Sequence, residues 1–397
     1  MGGGTRSFEF ARRLVAGGHS VDIVSADPGS KRRLGWRVEE LSGIRVHWVS
    51  VPYSNNLGFF GRIRAFFEFS VLASMRSRVI DYDLVFATST PLTIALPGMF
   101  AARIRRVPMV FEVRDLWPEV PIALGILRNP LLKLAGRWLE RTAYRSSAGV
   151  VALAPGMRDE VIRVGGLNPS KVIVIPNGCD SEIFGVDLRK ERAELRGAIP
   201  WLGDRPLVVF AGALGKANGV VYLAEIAVKM RAIAPEVRFV VIGDGAERAA
   251  LEAKAESEGV LGVSLFILPF MPKQDVAVWL AASDFTAALF SGPPILYRDA
   301  VQNKFFDSLA AGRPVMCNFH GFQSSVAVES DVGIIVPGDD PLSAAEMLLS
   351  RLEDRHWLSG VPERCQRLVD TRFSRDLLAF KFERFLLTSS VSTDGRE

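Results

Sequence analysis

The sequence predicts an α/β protein built from two doubly wound domains. Short apolar runs that read as buried parallel strands alternate with helical patterns along most of the chain. Several of these runs end in glycine-rich turns, the position where the carboxyl edge of an open sheet turns into a helix. The chain has 397 residues, more than one ordinary core holds, so about two domains are expected.

The first half opens on Gly2, Gly3 and Gly4, followed by Thr5 and Arg6. Phe8, Phe10, Ala11, Leu14 and Val15 then supply one apolar helical stripe, and Gly17-Gly18 stops it. Residues 21–25 read as a short parallel-type strand and residues 44–51 as an alternating one. A glycine turn before a helix normally follows a strand; here none precedes it, so the first domain is expected to lack its first strand. Residues 55–80 interleave Phe59, Phe60, Phe66, Phe67 and Phe69 with Arg62, Arg64, Arg76 and Arg78, and Glu68 is the one acid. This suits a helix lying on a membrane surface, and equally a helix packed on the sheet by its rings with its arginines in water. Asp81-Tyr82-Asp83 has the spacing of a metal-binding carboxylate pair but lies where a strand enters, and reads as loop. Residues 84–102 form an uncharged run broken by Pro91, Pro97 and Gly98, hence a strand, a turn and a helix rather than a membrane span. Residues 107–111 make the next strand. It ends in Glu112-Val113-Arg114-Asp115-Leu116-Trp117-Pro118-Glu119, charges placed where open sheets take ligands. A helix over 131–146, a strand over 149–153, a helix from Pro155 and a strand over 172–175 follow. Residues 185–205, rich in charge, glycine and proline, read as a linker.

The alternation restarts with a strand over 207–211. Next comes the loop Gly212-Ala213-Leu214-Gly215-Lys216-Ala217-Asn218-Gly219 and a helix from Val220. Such a loop presents backbone N–H groups to an anion, with Lys216 beside them. Residues 237–242 ending in Gly243-Asp244-Gly245, then 266–271 and 285–290, are further strands. Residues 299–315 carry the densest pattern. Asp299 leads through Gln302, Asn303 and Lys304 into a helix with Phe305, Phe306, Leu309 and Ala310 on one face, closed by Gly312 and Pro314. A helix N-terminus with a lysine can receive phosphate, and Asp307 on the same turn suits vicinal hydroxyls of a ribose. An amphipathic helix over 374–387 ends the pattern.

Composition narrows the classes. Cys179, Cys317 and Cys365 are few and scattered, and His19, His47, His320 and His356 form no metal-binding pair, so no metal or other cofactor is expected. Met1 leads into glycines without a secretory signal. Residues 1–183 hold 24 Lys and Arg against 16 Asp and Glu, a balance of +8, and the remainder balances at −4. A basic first half points to an anionic partner; no recognised nucleic-acid module surrounds it.

The stretch N-K-F-F-D-S-L-A-A-G-R-P-V, with acids at 299 and 307, resembles the donor motif of glycosyltransferase family 4. More narrowly it resembles the branch that adds N-acetylated amino-deoxy sugars (fucosaminyl type) to bacterial O-antigen or capsule precursors. Asp-Leu-Trp-Pro-Glu at 115–119 and Pro-Asn-Gly-Cys-Asp at 176–180 are similar to that branch's cleft and hinge motifs. Both acidic positions are usually Glu and here are Asp, and many relatives carry His where Arg114 stands. The resemblance implies a GT-B architecture: two Rossmann-like domains facing across a cleft, over 1–183 and 184–373, with 374–397 as a helix crossing back and a tail. It implies a retaining, metal-independent transfer from a UDP-sugar to a polyprenyl-diphosphate-linked saccharide in lipopolysaccharide, capsule or exopolysaccharide synthesis, at the cytoplasmic membrane face. Lys304, Lys216, Asp299 and Asp115 would then be catalytic. Gly3, Gly4, Gly212, Gly215, Gly243, Asn303 and Asp307 would bind donor, and Arg114 and Glu119 acceptor. Phe59, Phe60, Arg62, Arg64, Phe66 and Phe67 would meet an anionic membrane. Two other readings stay open: a non-catalytic nucleotide-sugar-binding relative and a UDP-sugar 2-epimerase.

Overall fold

The computed structural model describes residues 5–27, 35–53, 58–185 and 187–391. The chain divides into two compact units, Met1–Pro176 with Leu378–Glu397, and Asn177–Leu377.

In the first unit, β1 (Asp22–Ala26), β2 (Trp36–Leu41) and β3 (Ile44–Val49) form one sheet in the order β1-β3-β2. β4 (Val85–Thr88), β5 (Met109–Val113), β6 (Gly149–Ala152) and β7 (Val172–Val174) form a second, parallel sheet in sequence order. β1 pairs with β3 in parallel, whereas β2 and β3 make an antiparallel hairpin. Its two turn residues, Ser42 and Gly43, both have positive φ, as a tight hairpin with the right twist requires. β2 was not anticipated: its run W-R-V-E-E-L carries charge at three of six positions, and only the Ser-Gly turn marks the hairpin.

Helices cover both faces of the four-stranded sheet. On one side Val110, Val151 and Ile175 pack against Phe10 of the helix Thr5–Ala16 and Leu378 and Phe382 of the helix Arg375–Val391. Phe10 stacks on Phe382 at 4.7 Å, and Phe86 meets the same ring edge-on at 4.8 Å. A Cβ on Gly149 would press into the Phe385 ring at 2.6 Å, so only glycine lets this helix lie so close. The other face is covered by the helices Ala95–Arg105, Pro130–Ser146 and Pro155–Gly165, with Tyr144 against Phe111.

The second unit holds β8 (Leu207–Ala211), β9 (Arg238–Ile242), β10 (Leu265–Leu268), β11 (Phe285–Ala288), β12 (Val315–Cys317) and β13 (Gly333–Ile335). All pair in parallel, in the order β10-β9-β8-β11-β12-β13. The order reverses between β8 and β11, and at such a switch point the flanking loops part and leave a crevice. Apart from Arg238 at the start of β9, β8 and β9 are apolar because both faces are buried. Residues 185–205 are not a free linker. They contain the helix Arg189–Ala198, whose Arg196 donates to the Ala282, Gly203 and Arg205 carbonyls and pairs with Asp284 at 2.9 Å. The composition that suggested a linker is that of a solvated helix held by one arginine. Asp81-Tyr82-Asp83 is loop, with Asp81 exposed and paired to Arg105 at 2.8 Å.

Candidate functional site

The carboxyl edge of the second sheet is knitted together by glycine. Gly212 N–H donates to the Ile242 carbonyl and Leu214 N–H to that of Asp244, both at 2.9 Å, so the loops after β8 and β9 lie against each other. Gly212, Gly243 and Gly245 have φ of +150°, +148° and +154°, backbone that other residues rarely adopt. A Cβ on Gly243 would collide with the Gly212 carbonyl oxygen, and one on Gly245 with that of Leu214. The loop continues through Gly215 into the 3₁₀ turn Lys216–Asn218 and ends on Gly219, whose φ is +59°.

Across the switch point stands the helix Asn303–Ala310, anchored by the fully buried Phe305, Phe306 and Leu309. Its N-cap, Gln302, is extended and makes no side-chain cap bond, so that side chain leaves the first-turn N–H groups alone. Asn303 is exposed at the first position. Lys304 turns inward to the glycine loop. Its Nζ donates to Asn218 Oδ1 at 3.1 Å, sits 4.0 Å from the Phe210 ring centroid, and its stem passes Gly212. Burial alone lowers the Lys304 ammonium from its ordinary value to about 7. The Gln302 amide also donates to Asn218 Oδ1, at 3.2 Å, and Gln323 holds the Gln302 carbonyl at 2.9 Å. The structure therefore brings Gly212, Gly215, Gly243, Asn303 and Lys304 to one place. Lys216 stands exposed on the turn beside them.

The acids lie differently. Asp299 is buried; its Oδ2 accepts from Arg298 Nε at 2.8 Å and lies 2.7 Å from Arg298 Nη2. Asp307, half-buried, has its Oδ1 out of water and without a hydrogen-bond partner. Burial raises its carboxyl to about 7; Lys273 and Arg375 pull it down and Asp180 pushes it up. Asp180 itself binds Lys273 at 3.2 Å and lies 3.5 Å from Arg375.

In the first unit the loops after β4 and β5 share an edge. Arg114 N–H donates to Ser89 Oγ at 3.1 Å, and exposed Asp115 accepts from Thr90 Oγ1 at 3.0 Å. Glu119 pairs with Arg137 at 3.1 Å. Beneath them Glu112, fully buried, binds Arg6 at 2.8 Å and Thr88 Oγ1 at 2.6 Å, while Arg6 also donates to the carbonyls of Ile175 and Pro176. Gly3 and Gly4 lie outside the described residues, as do the side chains of Phe59 and Phe60. Of the residues expected at a membrane, Arg64 and Phe67 are exposed and Arg62 is half-buried. Phe66 stacks on Tyr53 at 5.5 Å, so it serves internal packing instead. Asn218, Gln302, Phe210 and the Arg6–Glu112 pair went unassigned from sequence. A carboxylate inside the strand M-V-F-E-V was the one available signal, since a buried acid needs a partner.

Comparison with known proteins agrees with this architecture. Residues 1–178 match the model of the glycosyl transferase 4-like domain, and residues 205–354 that of glycosyl transferases group 1. The chain is 24% identical over 350 residues to an alpha-D-kanosaminyltransferase of Streptomyces kanamyceticus, covering 86% of this chain and 87% of that one. It is 25% identical to the UDP-Gal:alpha-D-GlcNAc-diphosphoundecaprenol alpha-1,3-galactosyltransferase of Escherichia coli, covering 79% and 80%. Among solved structures, HepE of Anabaena in complex with UDP superposes with a TM-score of 0.66 at 18% identity, covering 87% and 86%. Two glycosyltransferase models in tandem, on two parallel-sheet α/β units with a glycine–lysine site in the second, place this chain in the glycosyltransferases of family 4, with the GT-B fold.

Proposed function

We propose that this glycosyltransferase moves a sugar, an N-acetylated amino-deoxyhexose, from a UDP-sugar to a polyprenyl-diphosphate-linked saccharide, with retention and without a metal. The observation that carries the donor half is Lys304, held by Asn218 against the glycine loop at the switch point. The chemical demand is departure of a diphosphate from the anomeric carbon. An ammonium beside unpaired helix N–H groups meets that demand by stabilising the charge that grows on the leaving oxygen. Lys304 releases its proton readily while the site is empty, and a diphosphate would restore it by supplying the missing counter-charge. Lys216 adds a mobile charge at the outer phosphate. The buried, unpartnered Oδ1 of Asp307 suits a ribose hydroxyl, and Asp299, braced by Arg298, a sugar hydroxyl. UDP in the HepE complex supports the choice of nucleotide.

The acceptor half rests on the edge formed by exposed Asp115 with half-buried Arg114 and Glu119, where a guanidinium suits a pyrophosphate. The diphosphoundecaprenol acceptor of the Escherichia coli relative supports this class. The test is transfer from a panel of UDP-sugars to a polyprenyl-diphosphate-linked saccharide, with products read by mass and anomeric configuration by NMR. Turnover should be largely lost in Lys304→Ala, since removing one such donor costs about 100- to 1000-fold. Wild-type turnover in that variant, or inversion at the anomeric centre, would overturn the reading.

A further inference from the structure

We infer that the outward face of the helix Pro130–Ser146 is the surface by which the first unit docks on an anionic lipid bilayer. The inference rests on the lipid-linked acceptor proposed above and adds a contact outside the Phe59–Phe67 segment. Asn129 caps the helix by accepting from the N–H groups of Leu131 and Leu132, and Pro130 fixes its first turn. Glu140, Ala143 and Tyr144 face inward, so the register leaves Leu131, Leu134 and Trp138 on the opposite side, at i, i+3 and i+7. Their exposures are 74%, 68% and 63%, values a water-facing helix reserves for polar residues. Leu124 and Ile126, just before the helix, are exposed as well.

Charge decides what covers this face. Continuing the same stripe, Arg141 and Arg145 follow Trp138 at i+3 and i+7, and both are exposed. Arg128 and Arg137 flank it, the latter paired with Glu119 at 3.1 Å, whereas the helix's own acid, Glu140, is buried beneath Tyr144. Four exposed arginines around a leucine–tryptophan stripe call for a partner that offers negative charge and apolar depth together. They fit a bilayer, where Leu and Trp enter the acyl boundary and guanidinium groups rest on lipid phosphates. The helix packs on Ala95–Arg105, which also packs on Phe59–Ser77. Ile63, Phe67, Val71 and Met75 are likewise exposed along that last helix, at every fourth position.

The experiment uses the full chain with phosphatidylcholine vesicles, with and without phosphatidylglycerol, and with brominated acyl chains. Wild type should sediment with the anionic vesicles and show tryptophan quenching. Replacing Leu131, Leu134 and Trp138 together by Gln should lower partitioning at least about tenfold. Circular dichroism and urea unfolding of that variant should match wild type, which shows the first unit intact. Trp138→Phe should still bind but lose quenching. Anionic binding equal to wild type in the triple variant overturns the inference. So does loss of self-association alone in analytical ultracentrifugation, since the face would then belong to a second copy. If wild type binds vesicles through this face yet glycosylates no lipid-linked acceptor, the acceptor reading fails and the docking surface stands.

Discussion

Replacing Lys304 by Met should make the empty protein more stable and worse at its task. The Lys304 ammonium is lowered from 10.5 to about 7 by burial, with no carboxylate offsetting it. An unfolded lysine holds its proton to about 10.5 while the folded one releases it near 7, so between those values the unfolded chain binds more protons and stability rises with pH. Below about 7 the folded state bears the whole cost. At 1.36 kcal/mol per pKa unit the ceiling is about 5 kcal/mol, and a few kcal/mol is expected once solvent relaxes around the amine. Met keeps an unbranched apolar stem over the Phe210 ring, and Asn218 Oδ1 retains the Gln302 amide. Thermal melts should therefore show Lys304→Met above wild type at about pH 6.5, with the gap closing toward pH 10. In the same scans UDP should stabilise wild type at pH 6.5 more than it stabilises the variant. A variant less stable at pH 6.5, or a gap that ignores pH, would refute the claim that this lysine is held at a desolvation cost.

Three further outcomes follow from the same geometry. UDP affinity by calorimetry should fall about tenfold per pH unit above about 7, as the protonated form is lost, and this slope should vanish in Lys304→Met. Asn218→Asp sets a carboxylate beside the amine, which raises the lysine's pKa and shifts that decline to higher pH; an unshifted profile would mean Asn218 does not face the charge. Glu112→Gln removes the carboxylate that faces the buried Arg6 guanidinium, and should cost roughly 3–5 kcal/mol by urea unfolding, with loss confined to the first unit.

What the sequence made legible was short-ranged. The helix Asn303–Ala310 was readable because one-face spacing of Phe305, Phe306 and Leu309 and the Gly312–Pro314 stop act within a turn or two. The glycine loop was readable as a turn between strand and helix, but the reason each glycine is needed was not. Gly243 is required by the carbonyl of Gly212, thirty-one positions earlier, which only the pairing of β8 with β9 brings near. β2 escaped because charge on a hairpin strand with one wet face looks like loop, and the helix at 189–198 because its composition mimics a linker.

The partners of the two buried charges were hidden for a single reason. Lys304 meets Asn218 across 86 positions and Arg6 meets Glu112 across 106, distances over which no local pattern carries information. Yet the energetics give a usable rule. An acid within M-V-F-E-V, or a lysine one residue from two core phenylalanines, cannot be left bare without several kcal/mol of desolvation. The chain must answer each with a partner, a ligand or a lowered pKa. Glu112 is answered by Arg6 and Thr88, a closed arrangement that holds a helix to a sheet. Lys304 is answered only by a neutral amide and an aromatic face, with a pKa near 7. The difference separates a charge closed by a counter-charge from one that a ligand would complete under the function proposed above, and a sequence alone can raise the question at both positions but cannot say which answer each receives.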